Sequence, residues 1–215
     1  MHFQWMKVVL VAVGVGAVSV AAGAQARAVR GIAQTDVSLG LYGAFTGTTN
    51  GDGVQQSPSN AAGLMFGVRH IDNPLVGYEG TYSWNRANQV YAPTVCPVVG
   101  VTPQCDPATA VSGNAHELTG DWIVSFKLAN LRPFGLAGVG MVFNEPASGQ
   151  TGTHSSDKGV FLYGLGLDWG VVPHLGLRFQ YRGNVYHAPD LTSALGSSGR
   201  FLRTGEPMAG AYFRF

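Results

Sequence analysis

Charged residues are scarce in this chain: Asp, Glu, Lys and Arg make up 12% of its 215 residues, whereas ordinary soluble domains carry about 25%. The two signs nearly cancel, with 13 Lys and Arg against 12 Asp and Glu. Because there is no excess of basic residues, the sequence predicts no positively charged surface that would attract nucleic acid, and we expect no nucleic-acid partner. So low a charged fraction also argues against an ordinary soluble domain.

Long apolar runs are missing as well. Beyond residue 24 no segment stays apolar for the roughly 18 residues that a membrane helix needs. The sequence therefore excludes membrane helices in that region. Few charges, 31 glycines and 11% aromatic residues instead favour a membrane protein built from strands.

Catalytic and metal-binding signatures are absent from the sequence. No GxSxG or HExxH motif occurs. The six histidines are scattered rather than clustered, which favours neither a metal site nor a cofactor. They stand at His2, His70, His116, His154, His174 and His187.

Only two cysteines are present, Cys96 and Cys105, and both lie in the longest predicted connection, Arg86–Ala115. They lack the further ligands of a metal site and the CxxC spacing of a redox pair. We therefore predict a structural disulfide, formed in an oxidising compartment. The stapled connection is suited either to binding a partner or to resisting proteases.

The N-terminus carries an export signal. One positive charge, Lys7, precedes the apolar run Val8–Ala22, which ends in the small-x-small pattern Ala22-Gly23-Ala24. Ala24-Gln25-Ala26 is a one-step alternative, and an uncleaved anchor is disfavoured because the run is shorter than the roughly 20 residues of a spanning helix. We predict a cleavable signal peptide at 1–24, a short periplasmic segment at 25–34 and one barrel domain at 35–215.

Eight segments alternate apolar and polar residues with the period of a β-strand. The clearest is Leu175–Val185, in which Leu177, Phe179 and Tyr181 share one face while both arginines lie on the other. The segment at 134–144 is apolar or glycine on both faces, so its register stays open. The remaining segments lie at 37–45, 63–69, 76–85, 117–128, 161–169 and 209–215.

Three features predict that the apolar faces point outward to lipid rather than inward as in a soluble barrel. The polar faces are rich in Gly, Ser and Thr, which suits a narrow lumen. Aromatic residues such as Phe45, Trp84, Phe143, Trp169 and Phe213 lie toward strand ends, as in interface girdles. Tilted segments of about 9–11 residues also fit the hydrocarbon thickness. Short and long connections alternate strictly, which indicates a meander with turns on the periplasmic side and loops outside. The predicted fold is all-β: an eight-stranded antiparallel up-and-down transmembrane β-barrel with short periplasmic turns and longer extracellular loops.

The inward faces of these strands carry nearly balanced charge. Asp168 and Arg178 face each other across one short turn, and Arg69 and Glu79 across another. Such groups must pair or stay hydrated in a narrow lumen. We predict an internal salt-bridge network that plugs the barrel, although a gated ion path would use the same residues. The predicted network comprises Arg69, Glu79, Glu117, Asp121, Lys127, Asp168, Arg178, Arg182 and Arg214, with Glu206 as a further candidate.

Three segments, Ala209–Phe215, Pro133–Gly140 and Leu177–Gly183, resemble the OmpA-like or opacity-type outer-membrane β-barrel superfamily. The likeness spans about residues 35–215. It implies an outer-membrane location and a monomer in contact with outer-membrane lipid and lipopolysaccharide. It also implies that the terminal Ala211, Phe213 and Phe215 are the signal read by the barrel-assembly machinery, with periplasmic chaperones as earlier partners.

The resemblance leaves several functions open because such barrels serve adhesion, envelope integrity and narrow pores. We expect a structural, envelope-integrity or surface-interaction role without catalysis, and a narrow ion or solute pore as the alternative. Some eight-stranded barrels are lipid A deacylases, and the spacing of His154 and Ser156 is compatible with such a pair. These two residues lie in a Gly- and Ser-rich predicted loop, which does not promise the rigid placement that catalysis needs. No further domain is expected after the last strand, so no peptidoglycan role is carried over.

Overall fold

Twelve β-strands form in the part of the chain that the computed structural model describes, residues 34–72, 75–99 and 102–215. The predicted signal peptide, with Ala22 and Ala24, and residues 25–33 lie outside this part. The strands are β1 Gln34–Thr46, β2 Thr49–Gly51, β3 Val54–Pro58, β4 Ala61–Ile71, β5 Val76–Pro93, β6 Val98–Val99, β7 Thr102–Pro103, β8 Thr109–Ser125, β9 Leu131–Pro146, β10 Ser156–Val172, β11 Leu175–His187 and β12 Phe201–Arg214.

Eight of these strands close into an antiparallel barrel. Following the wall, the order is β1, β4, β5, β8, β9, β10, β11 and β12. The first and last strands pair with each other, so that Leu39 lies between Phe66 of β4 and Ala211 of β12. Closure leaves the barrel wall without a free edge. The predicted fold class is confirmed.

The alternating side chains are arranged with the apolar ones outside. Leu41 is 68% exposed and Leu165 is 67% exposed, whereas Arg69, Arg178 and Arg182 have no solvent exposure at all. This is the reverse of a soluble barrel, as the sequence predicts. The open register at 134–144 is also resolved, because the even-numbered residues of β9 point inward.

The two ends of the barrel differ. At one, the turn end, strands are joined by short connections at 72–75, 126–130 and 173–174. At the other, the loop end, they are joined by 47–60, 94–108, 147–155 and 188–200. Within the described residues no helix has the length and apolarity required to span a membrane.

One predicted connection is shorter than expected. The segment Arg86–Ala115 is not a loop throughout, because β5 runs on to Pro93 and β8 starts at Thr109, with pairing from Arg86 and Asn114 up to Tyr91 and Thr109. Residues 86–93 mix polar and small side chains on both faces, so the alternation fades although the backbone pairing continues. The first loop likewise forms a hairpin, β2–β3, whose second strand pairs with this extension of β5.

Candidate functional site

The lumen is crossed near the turn end by five buried acidic and basic side chains, here called the first charge layer: Asp36, Arg69, Glu79, Asp168 and Arg178. Two of its pairs follow from hairpin register, since Arg69 faces Glu79 across β4–β5 and Asp168 faces Arg178 across β10–β11. Nε of Arg69 donates to Glu79 Oε2 at 2.7 Å, and Nε of Arg178 donates to Asp168 Oδ1 at 2.7 Å.

Further bonds in this layer run across the lumen. Nη1 of Arg69 donates to Asp168 Oδ2 at 2.8 Å, and Nη2 of Arg178 donates to Asp36 Oδ1 at 2.7 Å. Nη1 of Arg178 lies 3.4 Å from Glu79 Oε1. Each arginine therefore joins strands from different sides of the wall, and all five side chains are buried.

Aromatic and aliphatic side chains fill the space around the first charge layer. The guanidinium carbon of Arg69 lies 4.1 Å from the centroid of the Phe134 ring, and that of Arg178 lies 5.3 Å from the Tyr212 ring. Phe134 in turn packs in a buried apolar cluster with Ile123, Leu136 and Leu162. At this level of the barrel, the charged side chains of the first charge layer and the rings of Phe134 and Tyr212 together fill the lumen.

A second charge layer lies closer to the loop end and consists of Glu117, Asp121, Arg182 and Glu206. Nη2 of Arg182 donates to Glu117, whose other oxygen accepts from Asn184 Nδ2 at 2.8 Å. Nε of Arg182 lies 3.6 Å from Glu206 Oε2. Asp121 Oδ2 instead accepts from Thr81 Oγ1 at 3.2 Å. The second charge layer thus contains three carboxyl groups and one guanidinium group.

The loop end is covered by the connection 188–200, here called the loop-end cap. Its Pro189 carbonyl accepts hydrogen bonds from Gln56 Nε2 at 3.0 Å and from the Tyr91 hydroxyl at 2.9 Å. Leu191 packs with Tyr91, Val54 and Val111 in a buried apolar cluster at the loop end.

The structure places most predicted lumen residues inside but not all. Lys127 is exposed, and its assignment to the network is wrong because β8 ends at Ser125 and the alternation does not extend past it. Arg214 is half-buried at the turn end, with Nη2 3.2 Å from the Tyr212 hydroxyl. Sequence reasoning missed Asp36, which one more step of alternation in β1 would have found, and Arg132, which lies at the start of β9 beside a short turn.

The terminal residues and the stapled loop lie on the outside. Phe213 and Phe215 are exposed at the turn end, and Ala211 shares their outward face. Cys96 and Cys105 form the predicted disulfide, with Cα atoms 4.5 Å apart, across the β6–β7 hairpin.

The His154 and Ser156 pair does not form an exposed catalytic arrangement. Ser156 is buried, and its Oγ accepts a hydrogen bond from the Asp190 amide at 3.1 Å. Nε2 of His154 lies 3.7 Å from Asp190 Oδ1. The two side chains therefore help to attach the loop-end cap to the preceding loop. Among the described residues no three His, Cys, Asp or Glu side chains converge as a metal site would require.

Comparison with known proteins identifies the fold but no sequence family. No protein-family profile matches the chain, and no curated protein matches it in sequence. A solved structure of Ail, the attachment invasion locus protein of Yersinia pestis, in complex with the heparin analogue sucrose octasulfate, is 18% identical with a TM-score of 0.52. The match covers 86% of this chain and 99% of Ail.

Two further solved structures have the same architecture. Neisserial surface protein A is 15% identical over 84% of this chain and 97% of its own, with a TM-score of 0.53. The outer membrane protein OprG of Pseudomonas aeruginosa is 12% identical over 86% and 96%, with a TM-score of 0.57. At such low identities the likeness establishes the fold alone, that of an eight-stranded outer-membrane barrel.

Proposed function

We propose that the protein is an integral outer-membrane barrel with a closed lumen, acting in envelope structure or surface interaction and not in catalysis. Its outward apolar band supports membrane residence, because so much exposed apolar surface is unusual in a soluble monomer. The turn end then faces the periplasm and the loop end the cell exterior. Fractionation, together with a heat-dependent shift in gel mobility, tests this placement. A mature protein that stays monodisperse in buffer without detergent would contradict it.

The observation that carries the closed lumen is the first charge layer. Arg69 and Arg178 are fully buried and are held by carboxylates from opposite walls. Opening a path here would separate paired charges in a low-dielectric interior, which is costly. The loop-end cap adds a second closure. A conducting lumen would be expected to have one dominant sign of charge, which this layer lacks.

Conductance across planar bilayers tests the closed lumen. We expect no resolved channels from the wild-type protein. Arg69→Ala with Arg178→Ala removes both guanidinium groups and should produce conductance, provided that heat-dependent mobility shows a folded barrel. Arg203→Ala, an exposed arginine of β12, is the matched control and should remain silent. Stable channels from the wild-type protein would overturn the closed-lumen proposal.

A narrow pore is the second candidate, and the acid excess of the second charge layer favours it. Glu117 and Glu206 border a polar cavity of about 40 Å³ beneath the loop-end cap, enough for buried water. An ion path through this layer would select cations at a pH at which its carboxyl groups are ionised. If wild-type channels are observed, Glu206→Gln should lower cation selectivity, and unchanged selectivity would count against this route.

The absence of catalysis has its own test, because the related fold includes lipid-modifying enzymes. Overexpression should leave the mass spectrum of lipid A unchanged, since Ser156 is buried and engaged by the backbone of Asp190. A changed lipid A mass that disappears in His154→Ala would replace the structural role with an enzymatic one.

The surface role rests on the loop end. Strands β5 and β8 are joined by residues 94–108, in which the Cys96–Cys105 disulfide closes a ring that contains Val98, 67% exposed. A covalently closed, exposed apolar tip is preorganised for contact with another molecule. Deleting 97–104 in cells should leave barrel assembly intact but remove any surface attachment that the wild-type protein confers. Attachment that survives the deletion would exclude this tip.

A further inference from the structure

A cavity of about 310 Å³ opens at the turn end, on the side of the first charge layer opposite the loop-end cap. We call it the mouth cavity. Arg132, Arg214, Lys127 and Tyr212 border it, together with the backbone of the turns at 129–131 and 170–173. Its size is in the range of small-molecule sites.

Arg132 is the unusual member of this lining. It points inward from the first turn-end residues of β9 and is only 8% exposed. Among residues 34–72, 75–99 and 102–215, its Nε and Nη1 atoms have no hydrogen-bond partner. A buried guanidinium group with unused donors is costly unless an acceptor reaches it.

In the part of the chain that the structure describes, the side-chain acceptor of Arg132 is Gln34, which is shared with a second arginine. In one orientation of the Gln34 amide, its oxygen accepts from Arg132 Nη2 at 3.4 Å. In the flipped orientation, the same oxygen accepts from Arg214 Nη2 at 3.1 Å. The flipped oxygen also accepts from Arg214 Nε, so this orientation satisfies Arg214 with two bonds and leaves Arg132 Nη2 without the Gln34 oxygen. Two arginines therefore compete for one neutral acceptor.

Carboxylate groups compensate the charge of Arg132 only through space, because no described carboxylate accepts a hydrogen bond from it. Asp36 acts on Arg132 in this way but does not border the mouth cavity. Asp168 borders the mouth cavity, but Oδ1 binds Arg178 and Oδ2 binds Arg69. The segment that precedes Gln34, residues 25–33, contains Arg27 and Arg30 and no acidic residue. The mouth cavity thus combines cationic side chains, unused buried donors and no free carboxylate among its described lining.

We propose that the mouth cavity binds an anionic phosphate group, with Arg132 and Arg214 as its principal ligands. The planar fork of a guanidinium group matches phosphate oxygens in a bidentate geometry, and such charge-assisted bonds are about twice as strong as neutral ones. Lys127 supplies a third cation from the rim. In this arrangement the Gln34 oxygen stays hydrogen-bonded to one of the two arginines. The phosphate accepts hydrogen bonds from the other arginine and from Nε and Nη1 of Arg132.

The phosphate can come from a free ion or from the headgroup of an acidic phospholipid. The lipid source rests on the proposed membrane orientation, in which the turn end lies at the inner leaflet. The apolar Val171 and Val172, which also border the cavity, are exposed beside it and would contact acyl chains. The anion site itself does not depend on that orientation.

Calorimetric titration of the mature barrel in a neutral detergent tests the site. The probes are inorganic phosphate, short-chain phosphatidylglycerol and, as a zwitterionic comparison, short-chain phosphatidylcholine. Arg132→Gln and Arg214→Gln should each weaken binding by about tenfold or more, the loss expected for one charge-assisted bond. Arg203→Gln changes the same charge at the opposite end and should bind like the wild type. Heat-dependent mobility verifies that each variant is folded, and either arginine variant suffices if the other does not fold.

The probes separate the two sources. Saturable binding of both phosphate and phosphatidylglycerol, weakened by the two mouth substitutions, supports a site open to either source. Binding of phosphatidylglycerol alone assigns a lipid headgroup, and binding of phosphate alone assigns a soluble anion. No saturable binding to the wild type, or equal loss in Arg203→Gln, overturns the proposal. None of these results depends on conductance or fractionation, so the site and the proposed function can fail separately.

Discussion

Arg178 and Asp36 lie 142 positions apart in the chain and form an ion pair of 2.7 Å across the lumen, between Nη2 and Oδ1. Their strands, β11 and β1, are not neighbours in the wall, because β12 lies between them. The pair therefore forms only after the barrel has closed. It is a tertiary contact that no single hairpin can make.

Arg178→Met should destabilise the barrel strongly. The substitution leaves Asp36, Glu79 and Asp168 with Arg69 as their nearest buried cation, and breaking a buried pair in this way costs about 3–5 kcal/mol. Urea unfolding in phospholipid vesicles, followed by tryptophan fluorescence, measures the free energy of unfolding. Arg203→Met removes an exposed arginine from β12 and should change it by less than about 0.5 kcal/mol. Equal effects of the two substitutions would contradict this prediction. They would mean that the carboxyl groups left without Arg178 are hydrated or protonated.

Two glycines of neighbouring strands should respond oppositely to alanine. A Cβ on Gly67 would lie 2.7 Å from Glu79 Oε1 and 2.8 Å from Ser38 Oγ, inside the first charge layer, whereas one on Gly80 meets nothing within 4 Å. Gly67→Ala should therefore lower the free energy of unfolding by about 1–3 kcal/mol, the usual cost of overpacking. Gly80→Ala should leave it unchanged or raise it by about 0.5–1 kcal/mol through reduced chain entropy. The same vesicle unfolding assay decides, and a stable Gly67→Ala would show that Glu79 can move freely.

Tyr91→Phe should loosen the loop-end cap without weakening the barrel. The hydroxyl donates to the Pro189 carbonyl at 2.9 Å and accepts from the Leu191 amide at 3.2 Å. Leaving a buried amide unpaired costs about 1–3 kcal/mol, so exchange of the Leu191 amide hydrogen should accelerate. Exchange in the strands should not change. Tyr163→Phe removes an exposed hydroxyl from the outer wall and is the control; a similar acceleration there would point to a global effect.

Reducing the disulfide should affect the loop tip and not the barrel. Cys96 and Cys105 are nine positions apart. Closing so short a loop lowers the conformational entropy of the open chain and thereby stabilises the closed loop by about 2–3 kcal/mol. The segment between them has valines but no lysine or arginine, so elastase is a suitable probe. Cleavage within 97–104 should become faster after dithiothreitol, as read by mass spectrometry, while cleavage within 147–155 stays constant. A loss of heat-dependent mobility on reduction would show that the staple also supports the wall.

Much of this fold could be predicted because the period-two alternation acts locally. On strands joined by short turns, odd and even positions face opposite sides of the sheet. This alternation is enough to predict the outward face of Leu175–Val185 and the pairs Asp168–Arg178 and Arg69–Glu79. The limits of the pattern explain the errors. Lys127 was assigned by extending this alternation beyond the last paired residue of β8, and residues 86–93 were assigned to a loop because both of their faces are polar or small.

The cross-lumen contacts could not be predicted, for a physical reason. The alternation of positions predicts that Arg178 and Asp36 both point inward. It does not predict their height along the barrel axis or the side of the wall that each one faces. That depends on the stagger of all eight strands around the barrel. Arg132 escaped notice because it lies between Leu131 and Pro133, where turn chemistry dominates the sequence signal. The loop-end cap depends on long-range packing of Leu191 and has no local signature at all.

Arg178 and Arg182 stand four residues apart on β11, so they reach the two charge layers about 13 Å from each other along the strand. If β11 slid by a single residue against its neighbours, both guanidinium groups would turn outward into hydrocarbon together. A barrel with this shifted register would therefore lose the ion pairs of both charge layers. The observed register of β11, in which both arginines meet carboxyl groups, is thus favoured over a register shifted by one residue.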